Sequence, residues 1–147
     1  MKGHILITGG TGFVGGHLAT GLIKDGYRVT TVSRGTGVNE SHICADLTHE
    51  ETVVDLARKL SSVDTVIHCA AIAHGEKPRE GYSTADFNSL IVNNILKAFD
   101  RHKLRWIFMS SISVYGELHS ESEIPLTLVP KPADSYGVGK LRDEGLL

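Results

Sequence analysis

The sequence has 147 residues, 41% hydrophobic and 22% charged, a balance that suits one globular domain and excludes collagen-like or disordered chains. Fifteen basic against seventeen acidic residues leave a formal net charge of −2, so there is no basic footprint for nucleic acid. No apolar run approaches the ~20 residues of a membrane span, and no leader-type apolar region opens the chain.

In chain order, Ile5-Leu6-Ile7 reads as a strand stopped by Gly9-Gly10. Phe13 to Lys24 reads as a helix, with Val14, Leu18 and Leu22 on one face and Gly26 just past its end. Val29 to Val32 is β-branched and reads as strand two, and His42 to Ala45 as a short strand three. Thr48 with Glu51 three residues on has the form of a capping box, which predicts a helix through Leu60. Asp64 to Cys69 is strand four. Ala85 to His102 is a long helix with Phe87, Leu90, Ile91, Ile95 and Phe99 on one face, and Trp106 to Met109 is strand five. Residues 116–133 carry three prolines and read as a loop, and a last helix starts at Ser135 and runs to Leu147. Strands alternating with helices predict an α/β, doubly wound parallel sheet of about five strands, in one domain over 1–147. Cys44 and Cys69 sit in apolar runs, which predicts buried thiols and no disulfide, with the cytoplasm as the compartment. The eight histidines show no metal-ligand spacing. His68 reads as a core residue on strand four, and the segment from His74 through Gly75–Ser83 as either a cover for substrate or a plain solvated loop.

Strand one runs into Thr8-Gly9-Gly10-Thr11-Gly12-Phe13-Val14-Gly15-Gly16. Gly9, Gly12 and Gly15 supply a tight turn, a close backbone approach to a pyrophosphate and close helix–sheet packing. The helix that opens at Phe13 and Val14 offers free N–H groups and the positive end of its dipole to phosphates. Placed between a strand and a helix, the pattern predicts dinucleotide binding by Gly9, Gly12, Phe13, Val14 and Gly15. Strand two ends Val32-Ser33-Arg34. A carboxylate there would take the ribose 2′-hydroxyl of NAD. Its absence, with Arg34 in place to pair a 2′-phosphate, predicts NADP over NAD.

Five segments together resemble the extended short-chain dehydrogenase/reductase family, the NAD(P)-dependent nucleotide-sugar epimerases and dehydratases. They are the Thr8 to Gly15 loop, Asp46-Leu47, His68-Cys69-Ala70-Ala71, Ser110-Ser111-Ile112-Ser113-Val114-Tyr115-Gly116, and Tyr136-Gly137-Val138-Gly139-Lys140. The resemblance implies a Rossmann fold. It also implies that Asp46 and Leu47 contact the adenine and that Ala70 and Ala71 line the cofactor. Tyr136 becomes the acid/base, Lys140 its partner and a holder of the nicotinamide ribose, and Ser111 the third member, with Ser110 as the competing choice. Gly139 departs from the small hydroxyl residue that often precedes the family's lysine.

The residue types agree with those roles. A phenol with a pKa near 10 is a poor base at neutral pH. Tyr136 and Lys140 are four apart and share a helix face, where an ammonium would lower that pKa. The tuned phenol can take a hydroxyl proton as hydride leaves, and Ser111 can stabilise the oxyanion. Asn88 and Asn94 fall in the long helix, where the family is rich in Asn; they order a water, kink the helix or merely pack.

The family also implies a nucleotide-sugar substrate and a homodimer through the helices at 85–102 and 135–147. Its members are longer and add a C-terminal substrate-binding portion after the Tyr-Lys helix. The expectation is therefore a chain that ends before that portion and is weakly active or inactive alone. A dinucleotide-binding module without chemistry and a reductase of a non-sugar ketone or alcohol are the alternatives.

Overall fold

A computed structural model describes residues 2–37, 39–73, 77–100, 102–117 and 123–147. The chain divides into two compact units, Met1–Ala71 with Ile91–Met109, and Ile72–Leu90 with Ser110–Leu147. His74, Gly75 and Glu76, part of the segment read as a substrate cover, lie outside the described residues, as do 118–122 of the proline-bearing loop.

The first unit holds one sheet. Its elements are β1 (Lys2–Thr8), α1 (Phe13–Lys24), β2 (Tyr27–Ser33), β3 (His42–Cys44), α2 (Glu50–Lys59), β4 (Thr65–His68) and β5 (Arg105–Phe108), with the later part of α3 (Thr84–Ala98). The strand order is β3-β2-β1-β4-β5 and every pairing is parallel. This is the doubly wound Rossmann order, in which the chain reverses direction across the sheet between β1 and β4. Leu6, Ile7, Val32 and Val66 are fully buried, as continuous apolar strands of a covered parallel sheet should be. Ala19, Leu18 and Leu22 of α1 pack on Ile5, Ile7, Val29 and Ile67.

The strands and α1 fall where the sequence patterns put them, α1 to the residue. Three local expectations are corrected. No capping box forms at α2: its N-cap is His49, and no side chain caps it. The Asp46 carboxylate takes both the N–H and the hydroxyl of Thr48, at 2.9 and 2.8 Å, so Thr48 is committed to a turn instead. Helix α3 ends at Ala98 rather than His102, because the Asp100 carboxylate accepts the His102 N–H at 3.1 Å and closes a turn. Cys44 is exposed, not buried, since β3 is the edge strand, and Cys69 is half-buried; both carry thiols rather than a disulfide.

The second unit holds the first turns of α3, a short 3₁₀ turn at Ile112–Tyr115 and α4 (Ser135–Glu144). Asp134 caps α4 by accepting the Gly137 N–H at 2.7 Å. Gly139 is buried, and a Cβ there would lie 2.8 Å from Ala85 Cα, which explains why a hydroxyl residue is missing at that place. Phe87, Ile91, Ile95 and Phe99 of the face expected to meet a second subunit are buried within the chain itself. Among the described residues no helix is long and apolar enough to cross a membrane.

Candidate functional site

The C-terminal ends of β1 and β4 flank the point where the strand order reverses, which is where ligands of open parallel sheets bind. Gly9 takes a φ of +71°, and a Cβ there would lie 2.8 Å from the Ala70 nitrogen. Its N–H and that of Gly10 both donate to the Val32 carbonyl, at 2.8 and 3.2 Å. A Cβ on Gly15 would lie only 2.4 Å from the Gly9 carbonyl oxygen, so α1 approaches the loop as closely as backbone allows. The N-cap of α1 is Gly12, and its first turn carries no acidic residue. Its leading N–H groups and the positive end of its dipole therefore favour an anion such as phosphate. Phe13 and Val14 are exposed there, at 81% and 41%.

Cys69 and Ala70 are held beside this loop by Thr8. The buried Thr8 hydroxyl oxygen accepts the N–H groups of Cys69 and Ala70 at 3.2 and 3.1 Å, and lies 2.8 Å from His68 Nδ1. With two donors already on the oxygen, its single proton points to Nδ1, which leaves His68 protonated at Nε2. His68 is a buried core residue, stacked on Phe108 with ring centroids 5.8 Å apart. Ala71 is half-buried and closes the first unit's first segment.

At the end of β2, Ser33 Oγ accepts from Thr11 Oγ1 at 3.0 Å, and Arg34 is exposed. Asp46 and Leu47 follow β3. Burial pushes the Asp46 carboxyl up, but the two Thr48 hydrogen bonds outweigh it and hold the group below its ordinary value, helped by His49 and Arg34. Leu47 is buried, and its carbonyl accepts from Asn94 Nδ2 at 3.0 Å. In the second unit Asn88 grips Ile72 the same way, accepting its N–H at 2.8 Å and donating to its carbonyl at 3.1 Å. Neither Asn was predictable as a backbone clamp, because each partner is far away in the chain.

The second unit brings Ser111, Tyr136 and Lys140 together. Ser111 Oγ accepts the Ser113 N–H at 3.2 Å and hydrogen-bonds the Tyr136 phenol. The competing Ser110 hydroxyl donates instead to Glu144. Lys140 is buried, 4% exposed, with Nζ over the Tyr136 ring at 5.8 Å from its centroid. This geometry does not depress the phenol as expected from the sequence. Burial raises the Tyr136 pKa, the nearby Asp134 carboxylate adds to that, and the Ser111 hydrogen bond only partly opposes them.

One buried carboxyl on α4 escaped the sequence reading. Asp143 is 1% exposed, accepts from Ser89 through Oδ1, and has no partner at Oδ2. Arg142 donates to the same Ser89 hydroxyl, through Nε at 3.0 Å and Nη2 at 2.6 Å. Burial raises the Asp143 pKa against the lowering pull of Ser89, Arg142 and Lys140. A carboxyl raised on folding adds stability below its unfolded pKa and loses it as pH rises through the folded pKa. Asp143→Asn, which mimics the protonated form, is expected to gain thermal midpoint over the parent chain as pH rises from about 4 to about 7. A midpoint difference that shrinks over that range would contradict this.

The model of the NAD-dependent epimerase/dehydratase family matches residues 5–146. The chain belongs to that family. A probable UDP-arabinose 4-epimerase of Arabidopsis thaliana is 34% identical over 98% of the chain, which spans 39% of that relative. A solved UDP-glucose 4-epimerase superposes with a TM-score of 0.84 at 26% identity, over 97% of this chain and 46% of that one. The UDP-glucose 4-epimerase of Bifidobacterium longum, solved in complex with NAD+ and UDP, gives a TM-score of 0.82 at 25% identity, over 97% of this chain and 47% of that one. This epimerase/dehydratase-family chain thus spans about 40–50% of the length of these relatives. The family description and the B. longum complex both name NAD, which gives no support to the NADP preference drawn from Arg34. Among the described residues no group of three or more His, Cys, Asp or Glu side chains is placed to hold a metal.

Proposed function

We propose that this is the cofactor-binding and catalytic part of a UDP-sugar epimerase that uses NAD. The observation that carries the reading is the Ser111–Tyr136 hydrogen bond with Lys140 over the same ring, in a chain of this family. The glycine loop and the bare α1 N-terminus fit a pyrophosphate, with Gly9, Gly12, Phe13, Val14 and Gly15 as the residues that hold it. Asp46 and Leu47 sit at the adenine, and Ala70 and Ala71 beside the cofactor. When bound, NAD supplies a reversible hydride acceptor. Tyr136 would take the proton of the sugar hydroxyl during oxidation of that carbon and would return it on reduction. Ser111 donates to the sugar oxygen as charge develops on it, and Lys140 supports the phenolate and the nicotinamide ribose. Turnover of a UDP-sugar, read as its epimer by chromatography, tests this; cofactor binding without any sugar chemistry would instead favour a binding module.

NADP is a second reading, favoured by the exposed Arg34 and by the absence of a carboxylate at the end of β2. We expect NAD to bind the more tightly in calorimetric titration, and Arg34→Ala to weaken NADP alone, by about threefold to tenfold for one exposed charge-assisted contact. Tighter binding of NADP would reverse the assignment. Pairing of two copies belongs to the same proposal, through sides of α3 and α4 other than the buried Phe87–Phe99 face; sedimentation velocity showing only a monomer at tens of micromolar would remove it.

A further inference from the structure

The turn that leaves β2 is held by side chains of β3, and one of them does most of the holding. His42 Nε2 lies 2.8 Å from the Gly35 carbonyl, an acceptor only, so Nε2 carries a proton and donates. The same carbonyl accepts from Ser33 Oγ at 3.2 Å, and Cys44 Sγ donates to the Arg34 carbonyl at 3.1 Å. On its other side the imidazole meets the Thr31 hydroxyl, with Nδ1 at 2.8 Å, and Thr31 Oγ1 lies 3.0 Å from the Asn39 side-chain oxygen. Thr31 in turn lies against the glycine loop: a Cβ on Gly10 would come within 2.4 Å of Thr31 Cβ. The ring also fills the space beside Gly37, where a Cβ would fall 2.1 Å from His42 Cγ.

His42 therefore ties the Ser33-Arg34-Gly35 turn to the strand beneath the glycine loop. In this fold the residues just past β2 meet the adenosine ribose, and the 2′ substituent of that ribose is the only difference between NAD and NADP. We propose that His42 is a positioning residue for cofactor choice: by holding the turn it keeps the Ser33-Arg34 backbone shaped for a 2′-hydroxyl. This rests on the dinucleotide reading above. A turn already in place costs less order on binding, and the gain falls on the ligand that fits the fixed shape.

The test is titration of NAD and of NADP into the 147-residue chain and its variants. In His42→Ala the NAD dissociation constant should rise about fivefold, the worth of one net hydrogen bond, while that of NADP stays within about twofold. His42→Gln, whose amide N–H can still reach the Gly35 carbonyl, should stay near the parent ratio. Gly37→Ala, which leaves His42 in the chain but evicts its ring, should behave like His42→Ala. A role in stability alone would weaken both dinucleotides in parallel and spare the ratio. Parallel weakening, or no change in any variant, overturns the proposal. A parent chain that binds neither dinucleotide overturns the functional reading itself, and this inference with it.

Discussion

Replacing Tyr136 by Phe is expected to lower epimerisation of a UDP-sugar by about 10²–10⁴-fold, the usual worth of a positioned acid/base, while NAD binding is unchanged. The substitution removes only the phenol oxygen. The ring beneath Lys140 Nζ and the helix it stands on remain. The raised phenol pKa fixes the sign of the pH dependence in the parent protein. The base form is the phenolate, its population grows with pH, and so kcat/KM should climb from neutral into the alkaline range. That slope should vanish in Tyr136→Phe. Retained turnover, or a parent rate that falls as pH rises from 7 to 9, would remove Tyr136 from the chemistry. Ser111→Ala should lose the hydrogen bond that opposes the upward shift, moving the alkaline limb to still higher pH.

The second large effect is expected at the glycine loop. A valine at Gly15 would drive its Cβ to 2.4 Å from the Gly9 carbonyl, a backbone atom fixed by the Gly12 N–H at 2.9 Å. Either α1 lifts from the sheet or the loop opens, and both cost about 1–3 kcal/mol of overpacking. Urea unfolding should register that loss, and NAD should no longer bind because the α1 N–H groups leave the pyrophosphate position. Gly9→Ala has a different cause and the same result: its φ of +71° is strained for any residue with a Cβ, and the Ala70 nitrogen occupies the space. Normal stability with normal NAD binding in both variants would mean the loop is an ordinary turn.

How much of this was legible in the sequence depends on the range of the interaction. The α1 boundaries are local, set by the glycines on each side and by Val14, Leu18 and Leu22, and they match the structure. The five strands are equally plain, since β-branched runs between turns have few other readings. Local competition already blurred the picture at α2, where Thr48 and Glu51 had the right spacing but Asp46, two residues upstream, captured Thr48 first. Tertiary facts were out of reach. Cys44 is exposed only because β3 is an edge, which a strand's own composition does not record. Asn88 and Asn94 grip backbone 16 and 47 residues away.

At the site, the spacing of Ser111, Tyr136 and Lys140 was readable, and their convergence followed. The direction of the Tyr136 shift was not. Spacing shows that a lysine shares the helix face, but it does not show how far burial removes the phenol from water or that Asp134 stands beside it. The same holds for Asp143, an unremarkable helix acid in the sequence and a nearly inaccessible one in the fold. His42 read only as strand three; its hold on the β2 turn depends on which strand lies next to which.

If the Gly9–Gly15 loop is a dinucleotide cradle, calorimetric titration of NAD into the 147-residue chain will show it. Saturable one-to-one binding that disappears in Gly15→Val is the predicted result. A folded parent chain that takes up no NAD would contradict it.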